Sequence, residues 1–272
     1  MKIAFWSNSR GMGGVTSNLA CISVMQSLMV GAQAVLFENH FDINNLGYIF
    51  HKTTTDNKFF RETSQYAGSK RATVYSMLEK IDRKCINYSD ISLQQTISYL
   101  NQNLYYIPGT KSYDEEKREF FLQKNMKTML SIMNDYMDMV YIDTASSYHK
   151  SSRMILQEAD KVVVNLPQNP NLLTYFFRNF SEVRKKAFYI IGNYNYNSEF
   201  DKEYIVRTYG ISRENLGVVP HHVPFADAMA KGKLLSFMQE NLECKEDSPH
   251  YLFMKEVKEN VIKLKAATKS SR

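Results

Sequence analysis

Short, almost wholly apolar runs alternate along the chain with longer stretches of helical spacing. Ile3-Ala4-Phe5-Trp6, Ala34-Val35-Leu36-Phe37, Leu104-Tyr105-Tyr106-Ile107, Met139-Val140-Tyr141-Ile142, Val162-Val163-Val164, Phe188-Tyr189-Ile190-Ile191 and Leu216-Gly217-Val218-Val219 each read as a strand covered on both faces. Between them, Leu19 to Met25 predicts a helix apolar on nearly every side and ended by Gly31. The spacing predicts further helices over 72–85 and 92–101, the second with Asp90 or Ser92 as N-cap. A Met-rich helix follows over Phe120–Met137, with Leu122, Met126, Met129, Leu130 and Met133 on one face. The last helix, Tyr251 to Leu264, carries Met254, Val257, Val261 and Leu264 on one face. Buried strands that alternate with helices predict an α/β fold: a mostly parallel central sheet with helices on both faces and ligands at the strands' C-terminal ends.

The polar residues at those strand ends carry the candidate chemistry. After the first strand comes Asn8-Ser9-Arg10-Gly11-Met12-Gly13-Gly14-Val15-Thr16-Ser17-Asn18. Strand, glycine-rich turn and helix form an arrangement that cradles phosphates, because glycines let backbone N–H groups turn onto an anion and the helix adds its positive dipole end. A strict P-loop reads Gly-x-x-x-x-Gly-Lys-Ser/Thr. Here Ser9 stands for the first glycine and Val15 for the lysine, whereas Gly14 and Thr16 are kept. The run Met139 to Asp143 describes a Walker B strand, whose aspartate holds the magnesium shell beside the P-loop hydroxyl; an aspartate there can also simply cap the next helix.

Arg10-Gly11-Met12-Gly13-Gly14-Val15-Thr16-Ser17 resembles the deviant Walker A loop of the ParA/MinD family of P-loop ATPases, Lys-Gly-Gly-x-Gly-Lys-Ser/Thr-Ser/Thr. In that family the first lysine reaches a partner's nucleotide across a dimer interface, and Arg10 falls on its position. The family's second strand ends in Asp-x-Asp and leads into an Asn-Leu segment, here Glu38-Asn39-His40 before Asn45-Leu46. The resemblance puts Glu38 near magnesium, with Thr16 and Asp143, and His40 where the attacking water is positioned, a role open to a base that titrates near neutrality. Otherwise His40 is a capping residue. Asp143-Thr144 matches the family's Asp-Thr/Ser-Pro-x-Gly, with Ala145 and Ser147 departing from it. Asn193 falls on the family's adenine-reading asparagine. Pro220 and His221 fall on its Gly-x-Val-Pro strand end and base pocket.

Composition narrows the setting. A chain of 272 residues with a formal net charge of +6 is long enough for one α/β domain, and its Lys and Arg are spread rather than massed. Residues 1–272 are therefore read as a single domain, with 265–272 a short basic tail. The local basic set Lys70, Arg71, Lys80, Arg83 and Lys84 reads as a solvated helix face. A nucleic-acid surface is disfavoured, because no recognised module or aromatic interleaving accompanies it. Cys21, Cys85 and Cys244 have no metal or redox spacing, and no apolar run reaches the length of a membrane span, so a cytoplasmic protein with reduced thiols is expected. The basic tail leaves surface contact with a membrane as a lesser reading. His221-His222 has no third ligand at metal spacing.

Val15 cannot supply the charge that phosphoryl transfer requires. The expected function is a nucleotide-binding switch or scaffold for ATP and Mg2+, acting as a homodimer with little or no hydrolysis. By analogy with the degenerate TadZ/CpaE-like group, its partner is pilus or secretion machinery. Two alternatives stand beside it. One is an active partitioning-type ATPase acting on DNA or membrane; the other is a nucleotide-free protein-interaction module.

Overall fold

The computed structural model describes residues 1–40, 45–50, 74–83, 98–107, 115–146 and 149–269. The apolar runs become β1 (Lys2–Trp6), β2 (Ala34–Asn39), β4 (Leu104–Ile107), β5 (Met139–Thr144), β6 (Lys161–Leu166), β7 (Ala187–Tyr194) and β8 (Leu216–Pro220). With β3 (Ser98–Asn101) they form one sheet in the order β3-β4-β2-β5-β1-β6-β7-β8. Every neighbouring pair is parallel except the edge pair β3–β4.

Strand alternation feeds two core layers. Ile3 and Phe5 enter the layer built with α1 (Val15–Val30), α2 (Asn45–Phe50), α9 (Val223–Ala230), α10 (Leu234–Glu240) and α11 (Tyr251–Lys269). Ala4 and Trp6 enter the opposite layer, built with α3 (Val74–Asp82), α4 (Glu115–Tyr136), α5 (Lys150–Glu158), α6 (Pro170–Asn179), α7 (Ser181–Arg184) and α8 (Lys202–Tyr209). Asn18 through Ser27 of α1 are all buried, as a helix apolar on nearly every side must be.

The helix expected over 92–101 is corrected at its end. Residues 92–97 lie outside the described residues, and 98–101 form β3. The Asn101 carboxamide oxygen accepts the Asn103 N–H at 2.9 Å, an Asx-type turn that folds β3 back on β4. The Met-rich helix starts earlier than expected, at Glu115. Residues Lys265 to Lys269 continue α11. No described helix is long and apolar enough to cross a membrane. Cys21 and Cys244 are free, and Cys85 lies outside the described residues.

Candidate functional site

The central strand β1 delivers the chain into the glycine-rich loop, and α1 opens at Val15. Gly14 is the N-cap in the left-handed region, φ 65° and ψ 36°, where a side chain is strained. No side chain caps α1 and no acid stands in its first turn. The N–H groups of Val15, Thr16 and Ser17 are thus left for an anion, at the positive end of the helix dipole.

The loop is built into the sheet edge. A Cβ on Gly13 would stand 2.6 Å from the Asn165 carbonyl oxygen, so only glycine fits there. Asn18 Nδ2 donates to the Gly13 carbonyl at 3.0 Å and to Asn165 Oδ1 at 2.8 Å. Asn165 Nδ2 in turn donates to the carbonyls of Trp6 at 3.3 Å and Val163 at 3.1 Å. Gly192 of β7 lies directly against the Gly13 carbonyl. A buried, mutually satisfied amide pair therefore fixes the loop to the ends of β1 and β6, and Gly192 packs against it from β7. Arg10, Gly11 and Met12 form its exposed rim. Val15 packs against the α1-side core and brings no charge to the cradle.

Glu38 and Asp143 are register partners on the adjacent parallel strands β2 and β5. Alternation with Leu36 and Tyr141 puts both on the α1 face. Asp143 is 0% exposed, and neither of its oxygens has an aligned hydrogen-bond donor among the described residues. His40, just past β2, brings Nε2 to 2.9 Å from Asp143 Oδ1. Glu38 is committed elsewhere: Oε1 accepts the Leu46 N–H at 2.9 Å and Oε2 the Tyr106 hydroxyl at 2.8 Å. Burial, reinforced by the charge of Asp143, pushes the Glu38 carboxyl up to about 7, with the two hydrogen bonds and His40 pulling the other way.

That shift predicts a pH dependence. The unfolded chain ionises Glu38 near 4.5 and the native chain only near 7, so the native state holds the extra proton between them. Stability of the metal-free chain therefore falls as pH rises through this window, by up to about 1.4 kcal/mol per unit, and levels off above it. Glu38→Gln keeps an acceptor for Leu46 and removes the ionisation. Urea unfolding in EDTA at pH 5 and pH 8 is expected to show a smaller difference in the variant; an unchanged difference would contradict the assignment.

The base-pocket candidates also meet. Asn193, the penultimate residue of β7, has φ 51°, a left-handed conformation that asparagine tolerates. Its Oδ1 lies 2.7 Å from His221 Nδ1, the His221 N–H donates to the Tyr194 carbonyl at 2.9 Å, and Pro220 is the register partner of Tyr194. Gly192, one residue earlier, abuts the cradle, so these residues and the loop are contiguous along β7. His222 goes the other way. Its Nδ1 accepts the Phe225 N–H at 3.1 Å to cap α9, and Nε2 lies 3.2 Å from His250 Nδ1.

Sequence reasoning missed Asn18, Asn165 and Gly192. Asn165 does signal itself, as a lone carboxamide in Val162-Val163-Val164-Asn165-Leu166, where burial demands a specific partner. Ser147, and the motif residues between Phe41 and Asn44, lie outside the described residues.

The sequence matches no protein-family model and no curated protein. Solved structures do match over the whole fold. A ParA family ATPase from Chlorobium tepidum TLS is similar at TM-score 0.69 and 12% identity, over 96% of this chain and 98% of that one. A chain of the MinC:MinD cell division protein complex of Aquifex aeolicus gives 0.66 and 14%, over 97% and 96%. The septum site-determining protein MinD of Pyrococcus horikoshii OT3, complexed with Mg-ADP, gives 0.63 and 15%, over 100% and 99%. The chain thus shares the fold of these ParA and MinD proteins.

Proposed function

We propose that this chain is a ParA/MinD-like nucleotide-binding switch or scaffold that holds ATP with little or no hydrolysis and positions a partner complex. The cradle carries this reading: a glycine loop fixed by Asn18 and Asn165 to the ends of β1 and β6 and packed against Gly192 of β7, opening on an uncapped helix N-terminus. Gly11, Gly13 and Gly14 shape the cradle, and the N–H groups of Val15, Thr16 and Ser17 receive the phosphates. Arg10, on the rim, supplies the charge that Val15 lacks, in its own site or across a homodimer. Asn193, Pro220 and His221 line the base side.

A fully buried carboxylate without an aligned donor suits a cation, so Asp143 fits magnesium, with the Thr16 hydroxyl as the second oxygen. Glu38, the register partner of Asp143, stands beside this position with both oxygens already engaged. Magnesium, when bound, screens the phosphate charge. No three His, Cys, Asp or Glu among the described residues are grouped to hold a metal unaided, which suits an ion that keeps waters and phosphate oxygens.

Weak hydrolysis follows from the same residues. Val15 adds nothing to transition-state charge, and the Nε2 of His40, the candidate base, is turned onto Asp143. A homodimer that recruits pilus or secretion machinery is the form of positioning we infer, and the MinD structure in complex with MinC supports a protein partner. Incubation with Mg-ATP and recovery of the bound nucleotide tests this. Intact ATP retained on the protein is expected. Sustained turnover, lost in Asp143→Ala, would instead make the chain an active ATPase. Failure to retain nucleotide would make it a nucleotide-free interaction module.

A further inference from the structure

The contact between His40 and Asp143 has a role of its own. Two acids share one buried spot on the α1 face, and Glu38 has both oxygens engaged by Leu46 and Tyr106. Asp143 alone is left for an incoming cation, and the His40 ring stands against it at 2.9 Å. The His40 side chain is 26% exposed while Asp143 is fully buried, so the imidazole lies toward solvent as a plug over the carboxylate.

We infer that His40 is an internal occupant of the cation position, which covers Asp143 in the empty site and must turn away before a divalent cation can bind with nucleotide. This rests on the nucleotide-binding reading above and assigns that site's regulation. His40 is then neither a general base nor a bystander. It lowers the site's affinity for the cation by competing for the same oxygen.

The test uses Mn2+ as the probe. The whole chain is titrated with Mn2+ in the presence of ADP, and free ion is followed by electron paramagnetic resonance. His40→Ala is expected to bind Mn2+ about tenfold more tightly than the native chain, the equivalent of one lost charged contact. Equal or weaker Mn2+ binding by a folded variant would overturn the inference. Because bare Asp143 is a buried charge and the variant can fail to fold, the native chain is also followed by histidine-selective NMR. The His40 ring signal is expected to shift with Mg-ADP and to stay in place with ADP in EDTA; the same response to both, or to neither, would overturn the inference. Retained ADP with unchanged Mn2+ affinity removes this inference alone. Loss of nucleotide binding under every condition removes the functional reading, and the inference with it.

Discussion

Gly192→Ala is expected to lower the unfolding free energy by about 2–3 kcal/mol and to abolish nucleotide binding. The new methyl would overlap the Gly13 carbonyl oxygen and stand 2.8 Å from Asn18 Nδ2. Neither neighbour can give way cheaply. One is backbone, and the other holds the loop to Asn165 at 2.8 Å. Relief requires the loop to rise from the sheet edge, which removes the cradle. Gly210→Ala is the control. Its φ of 61° at the C-cap of α8 also strains a side chain, but nothing lies within 4 Å of the added atom. That variant is expected to lose about 1 kcal/mol and keep nucleotide affinity. Urea unfolding and nucleotide titration of both chains separate the two effects; a Gly192→Ala chain indistinguishable from Gly210→Ala would contradict the packing account.

Arg10→Ala is expected to weaken nucleotide binding by one to two orders of magnitude, about the worth of a charged phosphate contact. The melting temperature of the empty chain, measured alongside, separates a lost phosphate contact from a loss of fold. The residue is the cation nearest in sequence to the cradle, and Val15 is spent on the core. Unchanged affinity would leave backbone donors and the helix dipole as the sole phosphate contacts. Dimerisation measured in parallel, with and without nucleotide, distinguishes a contact within one protomer from one across the interface.

The fold was legible because its strands are buried on both faces and so read as unbroken apolar runs, from Ile3 to Trp6 through Leu216 to Val219. The edge strand β3 was not. Its few residues carry no such run, and its pairing is set by the Asn101–Asn103 turn rather than by hydrophobic pattern. The candidate site was legible in its placement: the loop, Glu38, Asp143, Asn193 and His221 all fall at strand ends or the start of α1. What joins the parts is absent from any local pattern. Asn18 and Asn165 are 147 residues apart, and their pairing depends on β6 lying next to β1. The orientation of Glu38, toward Tyr106 on β4 rather than toward solvent, likewise depends on strand order.

A calorimetric titration of Mg-ATP into the purified chain tests the central claim most directly, since it asks whether a loop without its lysine still binds. The account predicts saturable binding at micromolar nucleotide, with a matching rise in melting temperature as ligand stabilises the native state. No heat and no melting shift at millimolar Mg-ATP would contradict it, and would leave the glycine loop as a structural turn beneath a protein-binding surface.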